Sequence, residues 1–100
     1  MTKQNLKDLE KIMEYYNYDE QSRQAIEEMA ELTQAINKFW RNLNKKGHNN
    51  RDDISHIAEE VADVYVCLKQ VESYLDISEE VNDYIDYKIH RQLERIKHKG

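Results

Sequence analysis

One hundred residues with no proline and only two glycines make a single short domain, spanning residues 1–100, with room for a modest core. So few turn formers exclude a hairpin-rich β fold or a βαβ chain, while 35% charged and 39% apolar residues suit amphipathic helices, so the chain reads as all-α. A net charge of −5 speaks against nucleic-acid binding, and no apolar run is long enough for a membrane.

No secretory signal is expected at the start of the chain, and Cys67 alone supplies neither a disulfide framework nor a cysteine zinc site. A cytoplasmic protein is the expectation.

The first helical pattern runs from about Asn5 to Tyr16, with Leu6, Leu9, Ile12, Met13 and Tyr16 at helical spacing. A polar break follows, in which Asp19 is placed to cap the second helix, about Asp19 to Leu43. Its stripe is Met29, Leu32, Ile36, Phe39, Trp40 and Leu43. The segment Asn44–Asp53 has no apolar residue and reads as a loop, with Asp52 or Asp53 opening the third helix, about Ile54 to Tyr74. That helix carries Ile57, Val61, Val64, Leu68, Val71 and Leu75, spaced for a helix and not for a strand. After a break near Asp76, Ser78 is placed to cap a fourth helix carrying Val81, Ile85, Ile89 and Ile96, which ends in Lys97-His98-Lys99-Gly100.

Two segments read alike: Glu27-Glu28-Met29-Ala30-Glu31-Leu32 and Glu59-Glu60-Val61-Ala62-Asp63-Val64. At about 100° per residue, Glu28 and Glu31 fall at the margin of one stripe, and Glu60 and Asp63 at the matching margin of the other. Packing the stripes together faces the four carboxylates into a common cleft, with Ala35 and Cys67 leaving room one turn on. Taken singly, such a pair is ordinarily a solvated face; doubled and in phase, the acids repel unless a cation neutralises them. Oxygen-only ligands suit Mg²⁺, with Mn²⁺ as the alternative. Glu27, further round, is a candidate to orient or deprotonate an attacking water; Glu59 reads as solvated.

The pattern Glu27-Glu28-x-x-Glu31, followed after a helix–loop–helix interval by Glu60-x-x-Asp63, resembles the MazG-like all-α nucleoside triphosphate pyrophosphohydrolases. The resemblance is close over the second and third helices, extends through Asp86–Ile96 of the fourth, and gains little from the first. It implies a bundle of about four helices per chain completed by a second subunit. It implies Mg²⁺ held by Glu28, Glu31, Glu60 and Asp63, and hydrolysis of a nucleoside triphosphate to the monophosphate and pyrophosphate. Base, sugar and breadth of specificity do not follow from it.

A triphosphate needs cations beyond the metal. Lys38 lies two turns past Glu31, and Lys88, Arg91 and Arg95 recur beside the stripe of the fourth helix as a candidate phosphate clamp, against the plainer reading of solvated bases. Trp40 reads as core or subunit interface before base stacking, and Asn82 as an amide seeking partners on the apolar side. His56 reads as a cleft-rim residue, His48 has no assignment, and Tyr15, Tyr16 and Tyr18 are expected to cover the core.

Two other classes stand beside the enzyme. A carboxylate di-iron bundle would want Glu-x-x-His, and neither Glu28 nor Glu60 has histidine three residues on. A non-catalytic helical adaptor would carry the acids as a solvated face. In either enzyme or adaptor a homo-oligomer, a dimer or a dimer of dimers, is expected, because amphipathic helices in so short a chain leave apolar surface to cover.

Overall fold

Side-chain capping sets where three helices begin. In the computed structural model, which describes residues 1–99, Thr2 Oγ1 accepts from the Asn5 N–H at 3.0 Å and opens α1 (Lys3–Tyr15). Asn17 Oδ1 accepts from the Glu20 N–H at 2.9 Å while its amide donates to Glu20 Oε1 at 3.1 Å, opening α2 (Tyr18–Lys46). Asn50 Oδ1 accepts from the Asp52 N–H at 2.9 Å and opens α3 (Arg51–Leu75). The last helix is α4 (Ser78–Lys99). Among the described residues all regular structure is helical, and no helix is long and apolar enough to cross a membrane. Gly100, the end of the expected basic tail, lies outside them.

The caps differ from expectation. Asp19, Asp52 and Asp53 sit inside first turns, where a carboxylate favours the positive helix end without capping it; asparagines earlier in the chain do the capping. Ser78 is likewise the first residue of α4, whose earliest backbone bond runs from the Val81 N–H to the Ile77 carbonyl at 2.9 Å. The loop contracts to residues 47–50, because Lys45 and Lys46 form helix readily and complement the C-terminal dipole. Gly47 then stops α2 in the left-handed region, φ 74°, donating its N–H to the Leu43 carbonyl at 2.7 Å. Asp76 ends α3 in the same conformation, φ 55°.

This tight loop folds α3 back antiparallel on α2. The seam is a row at alternating three- and four-residue steps: Ala25, Glu28, Leu32, Ala35, Phe39 and Asn42 against Asp53, Ile57, Glu60, Val64, Cys67 and Val71, all buried or half-buried. The expected α2 stripe is therefore displaced. Alanines 25 and 35 let α3 approach, so the seam runs over the small-residue side. Met29, Ile36 and Trp40, roughly a quarter turn further round, stay exposed, Trp40 by 56%. Leu68 and Leu75 are exposed on α3. In an antiparallel pair these two rows flank the seam on one face of the hairpin, and Glu31, Lys38, His56 and Asp63 flank it on the other.

The first helix is tied on at the far end from the loop. Tyr74 Oη lies 2.6 Å from the Tyr16 carbonyl and 3.2 Å from the Met13 carbonyl, both at the end of α1, and the Tyr18 ring stands edge-on to Tyr74 at 5.7 Å. Only Leu9 of α1 is buried; Leu6, Ile12, Tyr15, Tyr16 and Tyr18 are exposed, Tyr15 by 82%. No residue of α4 is buried. The buried apolar set is Leu9, Ala25, Ala35, Val64 and Cys67, small for a domain of this length. The radius of gyration is 17.1 Å, against about 13 Å for a compact hundred-residue domain. Accessible surface is 8195 Å², where a compact monomer of this mass exposes about 6,000 Å².

Candidate functional site

Acidic residues enter the α2–α3 seam at the level where Ala35 and Cys67 keep it narrow. Glu28, Glu60 and Asp63 each bring a carboxylate oxygen within 4.8 Å of the other two. Glu60 is only 7% exposed, Glu28 half-buried and Asp63 exposed, so the cluster opens to solvent on the Asp63 side. Glu28 Oε1 accepts from the Gln24 amide at 2.7 Å, and Glu60 Oε1 lies 3.3 Å from His56 Nε2. The second oxygen of each, Glu28 Oε2 and Glu60 Oε2, is buried with no hydrogen-bond partner among the described residues.

Opposing influences act on Glu28. The Gln24 hydrogen bond favours its charged form, but burial and the nearby charges of Glu31 and Asp63 outweigh it and hold its pKa above the ordinary carboxylate value. Cys67 borders the same cluster. Burial pushes its thiol up first, and the charges of Glu28 and Asp63 push it further, so it stays a neutral thiol.

Beside the cluster lies a cleft of about 680 Å³. Glu31 and Glu60 form its acidic end, Ala35 its floor, and Gln34, Asn37, Lys38 and Arg41 continue along α2, with His56 on the α3 side. Glu60 belongs to both cluster and cleft, which joins them into one site. The cleft is thus negative at one end and positive at the other.

Of the residues singled out in the sequence, Glu28, Glu60 and Asp63 come together, and Glu31 stands at the cleft wall with its charge felt at Glu28. Lys38 lines the cleft. Glu27 is exposed and neither joins the cluster nor lines the cleft. Lys88, Arg91 and Arg95 are on α4 and do not line it within this chain; Arg91 lies 5.7 Å over the Tyr87 ring. Gln34, Asn37 and Arg41 were missed. The signal was there: Glu31, Gln34, Lys38 and Arg41 follow one another at helical spacing, a polar row parallel to the apolar one.

The donor set fits a hard divalent cation. It is all oxygen, drawn from two helices, and includes two buried carboxylate oxygens with nothing else to bind. No family model, no curated protein and no solved structure matches this chain.

Proposed function

We propose that the protein is a Mg²⁺-dependent nucleoside triphosphate pyrophosphohydrolase of the MazG-like kind, with Mn²⁺ an acceptable substitute. The observation that carries the reading is the pair of buried, unpartnered carboxylate oxygens of Glu28 and Glu60 beside a cleft that also holds Lys38 and Arg41. Glu28, Glu31, Glu60 and Asp63 would hold the ion, which when bound supplies charge neutralisation and an activated water. The chain's own residues supply the rest. Lys38 and Arg41 place positive charge where a phosphate chain leaving the acidic end would run, Arg41 as a planar fork and Lys38 as a point charge. Gln34 and Asn37 offer amide donors and acceptors along that wall, and Ala35 leaves room for the nucleotide.

Glu27, exposed and outside both cluster and cleft in this chain, would be the proton acceptor in this reading. Lys88, Arg91 and Arg95 would join a site only from the α4 of a second copy. The homo-oligomer is supported by the surplus accessible surface and by the open apolar face of the hairpin. The reading places the protein in the cytoplasm, with its nucleotide substrates.

A panel of ribo- and deoxynucleoside triphosphates, with and without Mg²⁺, tests the proposal when monophosphate plus pyrophosphate is resolved from diphosphate plus phosphate. Metal-dependent pyrophosphate release that vanishes in Glu31→Ala is the expected result. Folded, Mg²⁺-loaded protein that turns over none of them would favour the helical adaptor, the reading that the exposed row Met29, Ile36 and Trp40 supports.

A further inference from the structure

We infer that α4 is a self-association helix, pairing antiparallel with the α4 of a second copy of this chain, acidic half against basic half. The inference deepens the homo-oligomer of the proposed function by naming its surface, and does not depend on the catalytic reading, since an adaptor would use the same surface.

Three features of α4 lead there. It carries a row at alternating three- and four-residue steps, Asn82, Ile85, Ile89, Gln92 and Ile96, yet buries nothing; Ile89 and Ile96 are 57% and 63% exposed. Its charges are segregated. Residues 78–87 hold Glu79, Glu80, Asp83 and Asp86 with no base, and residues 88–99 hold five Lys or Arg against Glu94 alone, giving formal charges of −4 and +4. Complementing the helix dipole explains such placement only in the end turns, whereas Asp83, Asp86, Lys88 and Arg91 stand mid-helix. Finally, among the described residues none of the four acids makes an ion pair within the chain; the helix's pairs are His90 and Lys97 with Glu94.

Parallel pairing would set like charge on like. Antiparallel pairing sets the acidic end of one helix against the basic end of the other, and the row is self-complementary in that sense. With Ile85 opposite Ile89 of the second copy, Asn82 falls opposite Gln92, so the two amides in the seam can satisfy each other and fix the register. Glu79 and Asp83 then share one side of the pair with Lys97 and His90 of the second copy, and Tyr84 shares the other with Arg91. Asp86 and Lys88, next to the two-fold axis, meet their own copies, so the attraction rests on the helix ends. A second copy suits this surface because a two-fold axis demands such internal complementarity. The surplus surface per chain, 8195 Å² against about 6,000 Å² for a compact monomer, exceeds the roughly 800 Å² per partner of a stable interface.

The test is sedimentation of the full chain in chelator without nucleotide, so that loss of catalysis and loss of association are read separately. A dimer is expected, weakened at least ~100-fold by Ile85→Asp with Ile89→Asp while helix content is kept. Glu79→Lys with Asp83→Lys should weaken it about tenfold, and mixing that variant with His90→Glu, Lys97→Glu should restore it. Spin labels at His98, in a Cys67→Ser background, should lie about 33 Å apart along the helix axis if the pair is antiparallel. A monomer at high micromolar concentration, a dimer indifferent to the Ile85 and Ile89 changes, or labels side by side would each overturn the inference.

Discussion

Glu28 and Glu60, on different helices, bring carboxylate oxygens within 4.8 Å of each other, and each keeps a second oxygen buried and unpartnered. Two like charges so placed weaken the fold unless something positive enters between them. Glu60→Gln should therefore stabilise the metal-free protein, because the new amide can donate to the orphaned Glu28 oxygen. A rise of about 4 °C in Tm, roughly 1 kcal/mol, is expected. The same variant should lose the Mg²⁺-dependent rise shown by the unchanged protein, which at a hundredfold excess over Kd amounts to about 2.7 kcal/mol. Thermal melts with and without Mg²⁺ check both. A variant less stable than its parent in chelator would show that Glu60 is structural.

Acidity should act in opposite directions with and without metal. The pKa of Glu28 is raised in the folded chain, so folding binds its proton more tightly than the unfolded chain does. Its contribution to stability is fully present below the ordinary value of 4.5 and is lost as pH rises through the folded value. Melts in chelator across the acidic range should show the parent gaining on Glu28→Gln as pH falls. With Mg²⁺ the parent should gain as pH rises, since the ion requires the ionised carboxylates. A parent-minus-variant difference that ignores pH in chelator would sink the electrostatic account of the cluster.

The all-helical fold and the meeting of three of the four expected acids were legible for the same reason, since both depend on spacing along single helices; Glu31 lines the cleft instead. Glu28, Glu60 and Asp63 meet because their phases match, and phase survives any error in helix ends. Choice of buried face was not legible. Hydropathy ranks Met29, Ile36 and Trp40 above Ala25 and Ala35, yet the alanines are buried, because how closely two backbones approach depends on side-chain volume at the contact. Lys38 was found from its position after Glu31. Arg41 continues the same row about one turn further on and lines the same cleft. The capping residues were not legible because Asn17 and Asn50 lie two residues before Asp19 and Asp52 in the same polar breaks and cap equally well.

Near the loop, the hairpin is pinned by Asn42 and Asp53. Asp53 is 6% exposed, and its Oδ2 accepts from the Asn42 amide at 2.8 Å. Removing Asn42 strands a buried carboxylate, so Asn42→Ala should cost about 2 kcal/mol, most of which is the penalty of the unpaired group. Adding Asp53→Ala to it should recover part of that loss, although the favourable charge at the start of α3 goes with it. Urea unfolding of the two single variants and the double variant gives the coupling. Additive losses would mean the hydrogen bond contributes little to holding the helices in register.

At the opposite end, Tyr74 fastens α1. Its hydroxyl reaches the carbonyls of Tyr16 and Met13 at 2.6 and 3.2 Å, groups left without helical partners where α1 ends. Little else holds this helix, for Leu9 is its one buried residue. Tyr74→Phe keeps the ring against Tyr18 and removes only the hydroxyl. The expected cost is about 1 kcal/mol, concentrated locally. Amide hydrogen exchange should quicken severalfold through α1 while the α2–α3 seam, built from Ala35, Val64 and Cys67, is unchanged. Faster exchange spread evenly over all the helices would show instead that α1 folds as one unit with the hairpin, and that the acidic cluster depends on its docking.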